Sequence, residues 1–126
     1  MKLESIRCSS LPPAVGPYSQ ATAFGSLIYT SGQIPMDPVS GNMVQDVGEA
    51  TRLVLSNLLA VVEAGGGKKK TIVKVDVFLK KLSDFDEFNK AYAEFFGECR
   101  PARVLVQAGD LAEGAILEVA VVAFKE

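Results

Sequence analysis

Two charged side chains interrupt apolar segments near the end of the sequence. Arg103 follows Pro101-Ala102 and opens one apolar run, and Glu118 lies inside another, at residues 115–124. A lone carboxylate in such a segment is costly to bury unless a partner compensates its charge. The planar guanidinium group of arginine pairs well with a carboxylate of the protein or of a ligand. These residues therefore suggest a pocket that binds a small organic acid.

Two structural explanations of the same residues stay open. Arg103 and Glu118 could belong to an ion pair that only stabilises the fold, or Glu118 could point into water. Structural ion-pair networks also place charges in such segments, and from the residues alone these explanations are favoured.

The length and composition indicate one soluble globular domain spanning residues 1–126. A chain of 126 residues can bury a real core but is short for two domains. Apolar residues make up 48% and charged residues 22%, as in ordinary soluble proteins. The net charge of −2 gives no broad basic field, so nucleic acid is not an expected partner. The one basic cluster, at residues 68–70, is interpreted as a solvated loop.

The absence of histidine excludes several kinds of active site. It removes the Ser-His-Asp triad, the Cys-His dyad and histidine-ligated metal sites. Cys8 and Cys99 are too few for a thiolate metal site or a disulfide framework. Free thiols and an N-terminus without an apolar leader predict a reducing, cytoplasmic location. No apolar stretch reaches the roughly 18 residues that cross a bilayer, so no membrane association is expected.

The hydrophobic pattern predicts six strands and two helices. The predicted strands cover residues 3–8, 18–24, 27–31, 72–79, 103–107 and 115–124. A hairpin turn at Gly25-Ser26 is expected between the second and third strands. Helical periodicity predicts a first helix over residues 46–64, ended by the glycines at 65–67. A second helix is predicted to begin at Ser83 with a capping box and to end at Gly97.

The faces of these elements predict how they pack. Alternate residues from Val73 to Leu79 are expected to share one buried face of their strand. Aromatic residues recur at helical spacing in the second helix and are interpreted as core rather than as a cofactor site: Phe85, Phe88, Tyr92 and Phe95. The order of elements predicts an α+β sandwich, a mixed sheet with two helices on one face. Because the last strand is apolar on both faces, we expect a closed homo-oligomer in which the sheets of different copies face one another.

Four separated segments resemble those of a known family. They are AVGPYSQA at 14–21, TSGQIP at 30–35, PAR at 101–103 and LEV at 117–119. Together, in this order, they closely resemble the RidA family, also called YjgF or L-PSP. The resemblance implies a chorismate-mutase-like fold and a homotrimer with clefts between its subunits. It also implies hydrolysis of reactive enamines and imines such as 2-iminopropanoate and 2-iminobutanoate to 2-oxo acids and ammonia, without a metal or an organic cofactor.

The resemblance also assigns roles to individual residues. Arg103 matches the arginine that binds the substrate carboxylate, and Glu118 matches the glutamate that handles the water or the imine nitrogen. Other positions of the same cleft are Tyr18, Ser31 and Asn89, together with the ligand-contacting backbone of Gly32, Gln33 and Ile34. Structural explanations exist for the three side chains: an amphipathic core tyrosine, a strand-end hydroxyl and a surface amide on a helix.

Two positions differ from the pattern common in the family. Leu105 stands where many members have cysteine, which would remove one polar wall of the cleft. Arg100 stands where phenylalanine is frequent, and a second cation there could favour acidic substrates or simply face solvent. Both differences concern substrate preference more than the reaction.

Two other functions stay open as alternatives. The first is a translation-inhibiting endoribonuclease, an activity reflected in the names of some relatives. The missing histidine and the sequence pI near 5.2 speak against RNA cleavage. The second is a non-catalytic sensor or holdase that binds a 2-oxo acid or an amino acid without turnover.

Overall fold

The computed structural model describes all 126 residues and contains one six-stranded sheet. The strands are β1 (Glu4–Ile6), β2 (Ala21–Phe24), β3 (Leu27–Thr30), β4 (Ile72–Leu79), β5 (Ala102–Gln107) and β6 (Leu117–Phe124). They lie in the order β1-β2-β3-β6-β4-β5, and only the pair β4–β5 is parallel. The two helices are α1 (Val47–Ala64) and α2 (Phe85–Phe96). The predicted α+β class with a mixed six-stranded sheet is therefore confirmed.

Both helices cover the same face of the sheet, as their apolar stripes predict. The stripe of α1 is fully buried at Ala50, Val54, Leu58 and Val61. The side chain of Asp46 caps this helix by accepting a hydrogen bond from the amide of Glu49 at 3.0 Å. At the other end Gly66 adopts a φ of 96°, which a residue with a side chain rarely tolerates. The glycines thus end the helix as predicted.

The connection from β4 through α2 to β5 forms a parallel crossover. Such a connection places its helix directly over the two strands that it joins. Phe88 and Phe96 anchor α2 in the core, with Phe88 fully buried. Residues on the helix-facing side of β5 therefore lie beside α2, and Arg103 is one of them.

Three local predictions are wrong, each for an identifiable reason. Val73 is 42% exposed rather than buried, because a β-bulge pairs Ile72 with Ala123 but Lys74 with Val122 and leaves Val73 as an extra residue. The predicted capping box at Ser83 does not form, because residues 82–84 make a 3₁₀ turn before α2 begins. Phe85 is 37% exposed and so is not core.

The termini of several strands also differ from the prediction. The paired parts of β1 and β2 are shorter than residues 3–8 and 18–24, because the chain leaves the sheet on either side of Pro12-Pro13. β2 and β3 do form the predicted hairpin, in which Gly25 takes a φ of 62°. No helix is long and apolar enough to span a membrane.

The other face of the sheet carries no helix and is rich in apolar side chains. Six large hydrophobic residues on it are between 38% and 52% exposed: Phe24, Leu27, Tyr29, Val104, Val106 and Phe124. Such a large exposed apolar patch is unusual for a monomer and typical of an interaction surface. The expectation that further copies of the chain cover this face stays a prediction.

Candidate active site

The carboxylate of Glu118 lies against the backbone of Gly32 in a cavity of about 710 Å³. A Cβ atom at position 32 would stand only 2.1 Å from Oε2 of Glu118, so only glycine leaves room for this carboxylate. Glu118 is partly buried and forms no ion pair within the chain. It therefore neither takes part in a structural ion pair nor simply points away from the protein.

The hydroxyl group of Ser31 lines the same cavity and already donates a hydrogen bond within the chain. Its Oγ donates to the carbonyl oxygen of Ser19 at 2.7 Å. The lone pairs of that oxygen are left for a ligand, so towards the cavity Ser31 can act as a hydrogen-bond acceptor. Ser31 and Glu118 thus both present acceptors, and this cavity suits a ligand group that carries N–H or O–H donors.

Three further residues predicted for the cleft also line this cavity, but the backbone of one of them is already hydrogen-bonded. Tyr18, Gln33 and Ile34 are all part of its wall. However, the backbone N–H and C=O of Gln33 are both bonded to Val119, at 2.8 and 3.0 Å. A ligand contact through the N–H of Gln33 is therefore not available, because β6 already occupies this donor, whereas the carbonyl oxygen keeps a second lone pair. The side-chain amide of Gln33 is not occupied by β6 in this way.

Arg103 lies in a second cavity, of about 340 Å³, beside α2. Its Nη1 donates a hydrogen bond of 2.7 Å to Oδ1 of Asn89. Its guanidinium carbon lies 4.8 Å from the centre of the Tyr92 ring. Asn89 is therefore not a free surface amide but a partner of Arg103. An arginine has five N–H donors, so most of them are left for a ligand.

A single chain does not bring Arg103 and Glu118 together. Arg103 is level with Val75 of β4, whose side chain is buried beneath the helices, whereas Glu118 is level with Phe78. Since side chains alternate along a strand, the two charged groups project from opposite faces of the sheet. The two residues are also about 10 Å apart along the strand direction, because their partners Val75 and Phe78 are three residues apart on β4. Any site that uses both residues must combine them from different copies of the chain.

The two positions that differ from the family pattern have structural roles of their own. Leu105 projects toward the helices and packs against the core, and it lines neither cavity. The guanidinium of Arg100 bonds to the carbonyl oxygens of Gly97 and Cys99 and so holds the turn after α2. Arg100 also lines the second cavity, where its Nη1 is bonded to the backbone.

The basic cluster at residues 68–70 is satisfied within the chain. Lys68 and Lys70 both pair with the side chain of Glu126, at 2.6 and 3.2 Å. Lys69 donates to the carbonyl oxygen of Phe95 at 2.8 Å, near the C-terminus of α2. These contacts agree with the interpretation of the cluster as a loop rather than as a nucleic-acid site.

Two residues of the site were missed by the sequence reasoning. The buried amide of Gln20 accepts from the N–H of Cys8 at 2.6 Å and donates to the carbonyl of Pro12 at 2.8 Å, which fixes a wall of the larger cavity. Tyr92 contacts Arg103 although its spacing with Phe88 suggested core. The position of Tyr92 three residues after Asn89, on the same face of α2, is the one signal that could have identified it.

We expect Gly32→Ala to lower the turnover of 2-iminopropanoate, a substrate that the family resemblance implies, about 10²-fold while the protein stays folded. The added Cβ would displace the Glu118 carboxylate by an ångström or more, and a misplacement of that size is enough for such a loss. Gly109→Ala is the matched control, because nothing lies within 4 Å of a Cβ at position 109. Steady-state kinetics and thermal unfolding of both variants test this. Wild-type kcat in Gly32→Ala would contradict the assigned role of the glycine.

Comparison with known proteins agrees with this fold. A sequence profile of the family described as endoribonuclease L-PSP matches residues 8–125. A RutC family protein of Pyrococcus horikoshii is 42% identical over 124 residues, covering 98% of each chain. A protein of Salmonella typhimurium named 2-iminobutanoate/2-iminopropanoate deaminase is 40% identical over 125 residues, covering 97% of this chain and 98% of its own.

Solved structures show the same fold over the full length. The structure of Escherichia coli TdcF with bound serine superposes with a TM-score of 0.92 at 37% identity, covering 98% of this chain and 99% of that one. The family profile matches almost the whole chain. The relatives near 40% identity also match it over their full length, so the similarity extends to the whole domain. The chain therefore belongs to the L-PSP family, also known as the RidA or YjgF family.

Proposed function

We propose that this protein hydrolyses the reactive 2-imino acids, and the enamines in equilibrium with them, that pyridoxal-phosphate enzymes release. The products are 2-oxo acids and ammonia, and 2-iminopropanoate and 2-iminobutanoate are the expected substrates. The observation that carries this proposal is the opposite chemistry of the two cavities. One presents the donors of Arg103, and the other presents the acceptors of Glu118 and Ser31. A 2-imino acid has matching ends, a carboxylate and a protonated nitrogen.

The complete site would form between two copies of the chain in a closed oligomer, for which the family resemblance suggests a trimer. Arg103 and Asn89 of one copy would face Glu118, Ser31 and Tyr18 of the next. The opposite orientations of Arg103 and Glu118 in one chain support this arrangement. The exposed apolar face of the sheet supports it too, because burying that face would hold the copies together.

In the proposed reaction Arg103 fixes the substrate by pairing with its carboxylate through two parallel hydrogen bonds. This pairing holds the electrophilic carbon of the C=N group in one place. Glu118 accepts a proton from water while the water oxygen bonds to that carbon. The electron pair of the C=N π bond moves to the nitrogen, and Glu118 then returns the proton to that nitrogen. As the C–N bond breaks, the new hydroxyl group gives its own proton to Glu118, so that ammonia leaves and a C=O group forms. Such general acid–base help is worth about 10²- to 10⁴-fold in rate.

The names of relatives support this reaction. The Salmonella typhimurium relative carries the name of the deaminase, while the Pyrococcus horikoshii relative is named only by family. The serine bound to TdcF is an amino acid, with a carboxylate and an amine on one carbon. A 2-imino acid likewise carries a nitrogen and a carboxylate on one carbon, although that carbon is planar and doubly bonded to the nitrogen.

A coupled assay tests the proposal. Threonine dehydratase with threonine generates 2-iminobutanoate, and the release of ammonia and 2-oxobutanoate is followed with and without this protein. We expect the protein to accelerate release beyond the uncatalysed rate in proportion to its concentration. An unchanged rate at every concentration would overturn the proposed activity.

The two alternative functions give different results in simple measurements. A sensor or holdase would bind 2-oxobutanoate but leave the rate of the coupled assay unchanged. An endoribonuclease would bind RNA with an affinity that falls steeply as salt rises. The net charge of −2 and the pairing of Lys68 and Lys70 with Glu126 make such binding unexpected.

A further inference from the structure

The aromatic stripe of α2 has one member that packs against Arg103 as well as against the core. The ring of Tyr92 lies between those of Phe88 and Phe96, with centroid distances of 5.5 and 4.7 Å. The same ring lies 4.8 Å from the guanidinium carbon of Arg103. Phe85 is farther from that carbon, at 6.0 Å. Tyr92 therefore supplies the nearest aromatic surface to the arginine.

The contacts of Arg103 constrain both its position and its rotation. A cation near an aromatic ring at this distance is attracted to the negative face of the ring. The hydrogen bond from Nη1 to Asn89 sets the direction of one edge of the guanidinium group. Asn89 and Tyr92 are three residues apart on one helix, so the two contacts are rigidly related. Because the guanidinium group of Arg103 contacts both Asn89 and the ring of Tyr92, its remaining N–H donors lie in one fixed plane.

We propose that Tyr92 is a positioning residue, whose ring holds the guanidinium plane of Arg103 ready for the carboxylate of the substrate. This inference rests on the proposed function for the identity of the ligand. Preorganisation of this kind improves binding because less side-chain freedom is lost when the ligand arrives. The effect should therefore appear mainly in affinity rather than in the rate of the chemical step.

The hydroxyl group of Tyr92 indicates that the ring alone performs this role. That hydroxyl is buried and has no hydrogen-bond partner in the chain. Burial raises the pKa of Tyr92, although the charge of Arg103 opposes the shift, so the phenol stays neutral at ordinary pH. A phenolate would pair with Arg103 and compete with the substrate carboxylate. The neutral ring leaves the charge of the arginine available.

A purely structural role for Tyr92 predicts a different outcome from a positioning role. If the ring only filled space in α2, its loss would lower the melting temperature without a selective effect on carboxylate binding. Phe95 provides the comparison, because it is also an aromatic residue of α2 but contacts Phe96 and Lys69 instead of Arg103. Replacing Phe95 should therefore disturb the helix without disturbing the arginine.

The test measures the Kd of 2-oxobutanoate by calorimetry, together with KM and kcat for 2-iminobutanoate. We expect Tyr92→Phe to stay within about twofold of wild type in both constants, because the ring is retained. Tyr92→Leu should raise Kd and KM about 5- to 30-fold, the scale of a partly desolvated cation–π contact, with kcat within about threefold. Phe95→Leu should change the melting temperature but neither Kd nor KM.

A series of fluorinated phenylalanines at position 92 gives the same test if Tyr92→Leu does not fold. Fluorination keeps the size of the ring and weakens its negative face, so Kd should rise with each added fluorine. A constant Kd across the series, or equal effects of Tyr92→Leu and Phe95→Leu, would overturn the inference. Binding without turnover in the wild-type protein would overturn the proposed function alone. Absence of both 2-oxobutanoate binding and 2-iminobutanoate turnover in the wild-type protein would overturn both.

Discussion

Arg103→Ala is expected to lower kcat/KM for 2-iminopropanoate about 10³-fold, mainly through a higher KM. The substitution removes a guanidinium group that lines its cavity, bonds to Asn89 through one nitrogen and leaves most of its donors for the substrate carboxylate. Losing one member of a hydrogen-bonded charge pair costs about 2 to 5 kcal/mol, which corresponds to losses of this size. The fold should persist, since Arg103 is a partly exposed residue on the edge strand β5.

Two further variants separate the effect of the guanidinium fork from that of charge alone. Arg103→Lys keeps the charge but cannot form two parallel hydrogen bonds, so its KM should lie between those of wild type and Arg103→Ala. Arg100→Ala removes a neighbouring cation that is already bonded to the carbonyls of Gly97 and Cys99, and its KM should change little. Wild-type KM in Arg103→Ala would be incompatible with carboxylate binding by this residue.

Much of the fold follows from local patterns in the sequence. The stripe of α1, the glycines after it and the hairpin at Gly25 were all predictable, because each depends on residues close together in the chain. The bulge at Val73 was not, because it depends on how β4 pairs with β6, which lies more than forty residues away along the chain. Alternation in the sequence cannot show where a strand gains an extra residue.

The identity of the site residues was more predictable than their arrangement. Arg103 and Glu118 stand out as lone charges in apolar strands, and Gly32 belongs to a recognisable segment. Their placement on opposite faces depends on the strand order β6-β4-β5 and on the register of both pairs. Neither is encoded in local spacing. The family resemblance places both residues in a cleft between subunits, and this stays a prediction about neighbouring copies of the chain.

The role of Tyr92 illustrates a different limit. The helical spacing of the aromatic residues correctly indicated one face of α2, and Phe88 is fully buried on it. The same face extends past the edge of the core, where it meets Arg103 on β5. Periodicity identifies a face but does not say where the core ends along it, so the ring looked like core in the sequence.

Glu118→Gln is expected to lower kcat for 2-iminopropanoate about 10²- to 10⁴-fold with little change in KM. The amide keeps the size of the carboxylate against Gly32 but cannot accept a proton from the attacking water. Substrate binding through Arg103 should be unaffected, so Arg103 and Glu118 variants should differ in which kinetic constant they change. An equal rise of KM in both variants would contradict the assigned division of roles.

Mixing the two defective proteins tests whether the site is shared between copies. Arg103→Ala retains an intact Glu118, and Glu118→Gln retains an intact Arg103. In a ring where each site takes one residue from each of two neighbours, equal random mixing restores about a quarter of the sites. At substrate concentrations well below KM, we therefore expect refolded mixtures to recover about a quarter of wild-type activity, while each variant refolded alone keeps only its own residual activity. Activity no higher than that of the separate variants would contradict a site shared between copies. Because the two groups project from opposite faces of the sheet in one chain, they cannot form a site there either. That result would therefore exclude a mechanism that uses the two groups together.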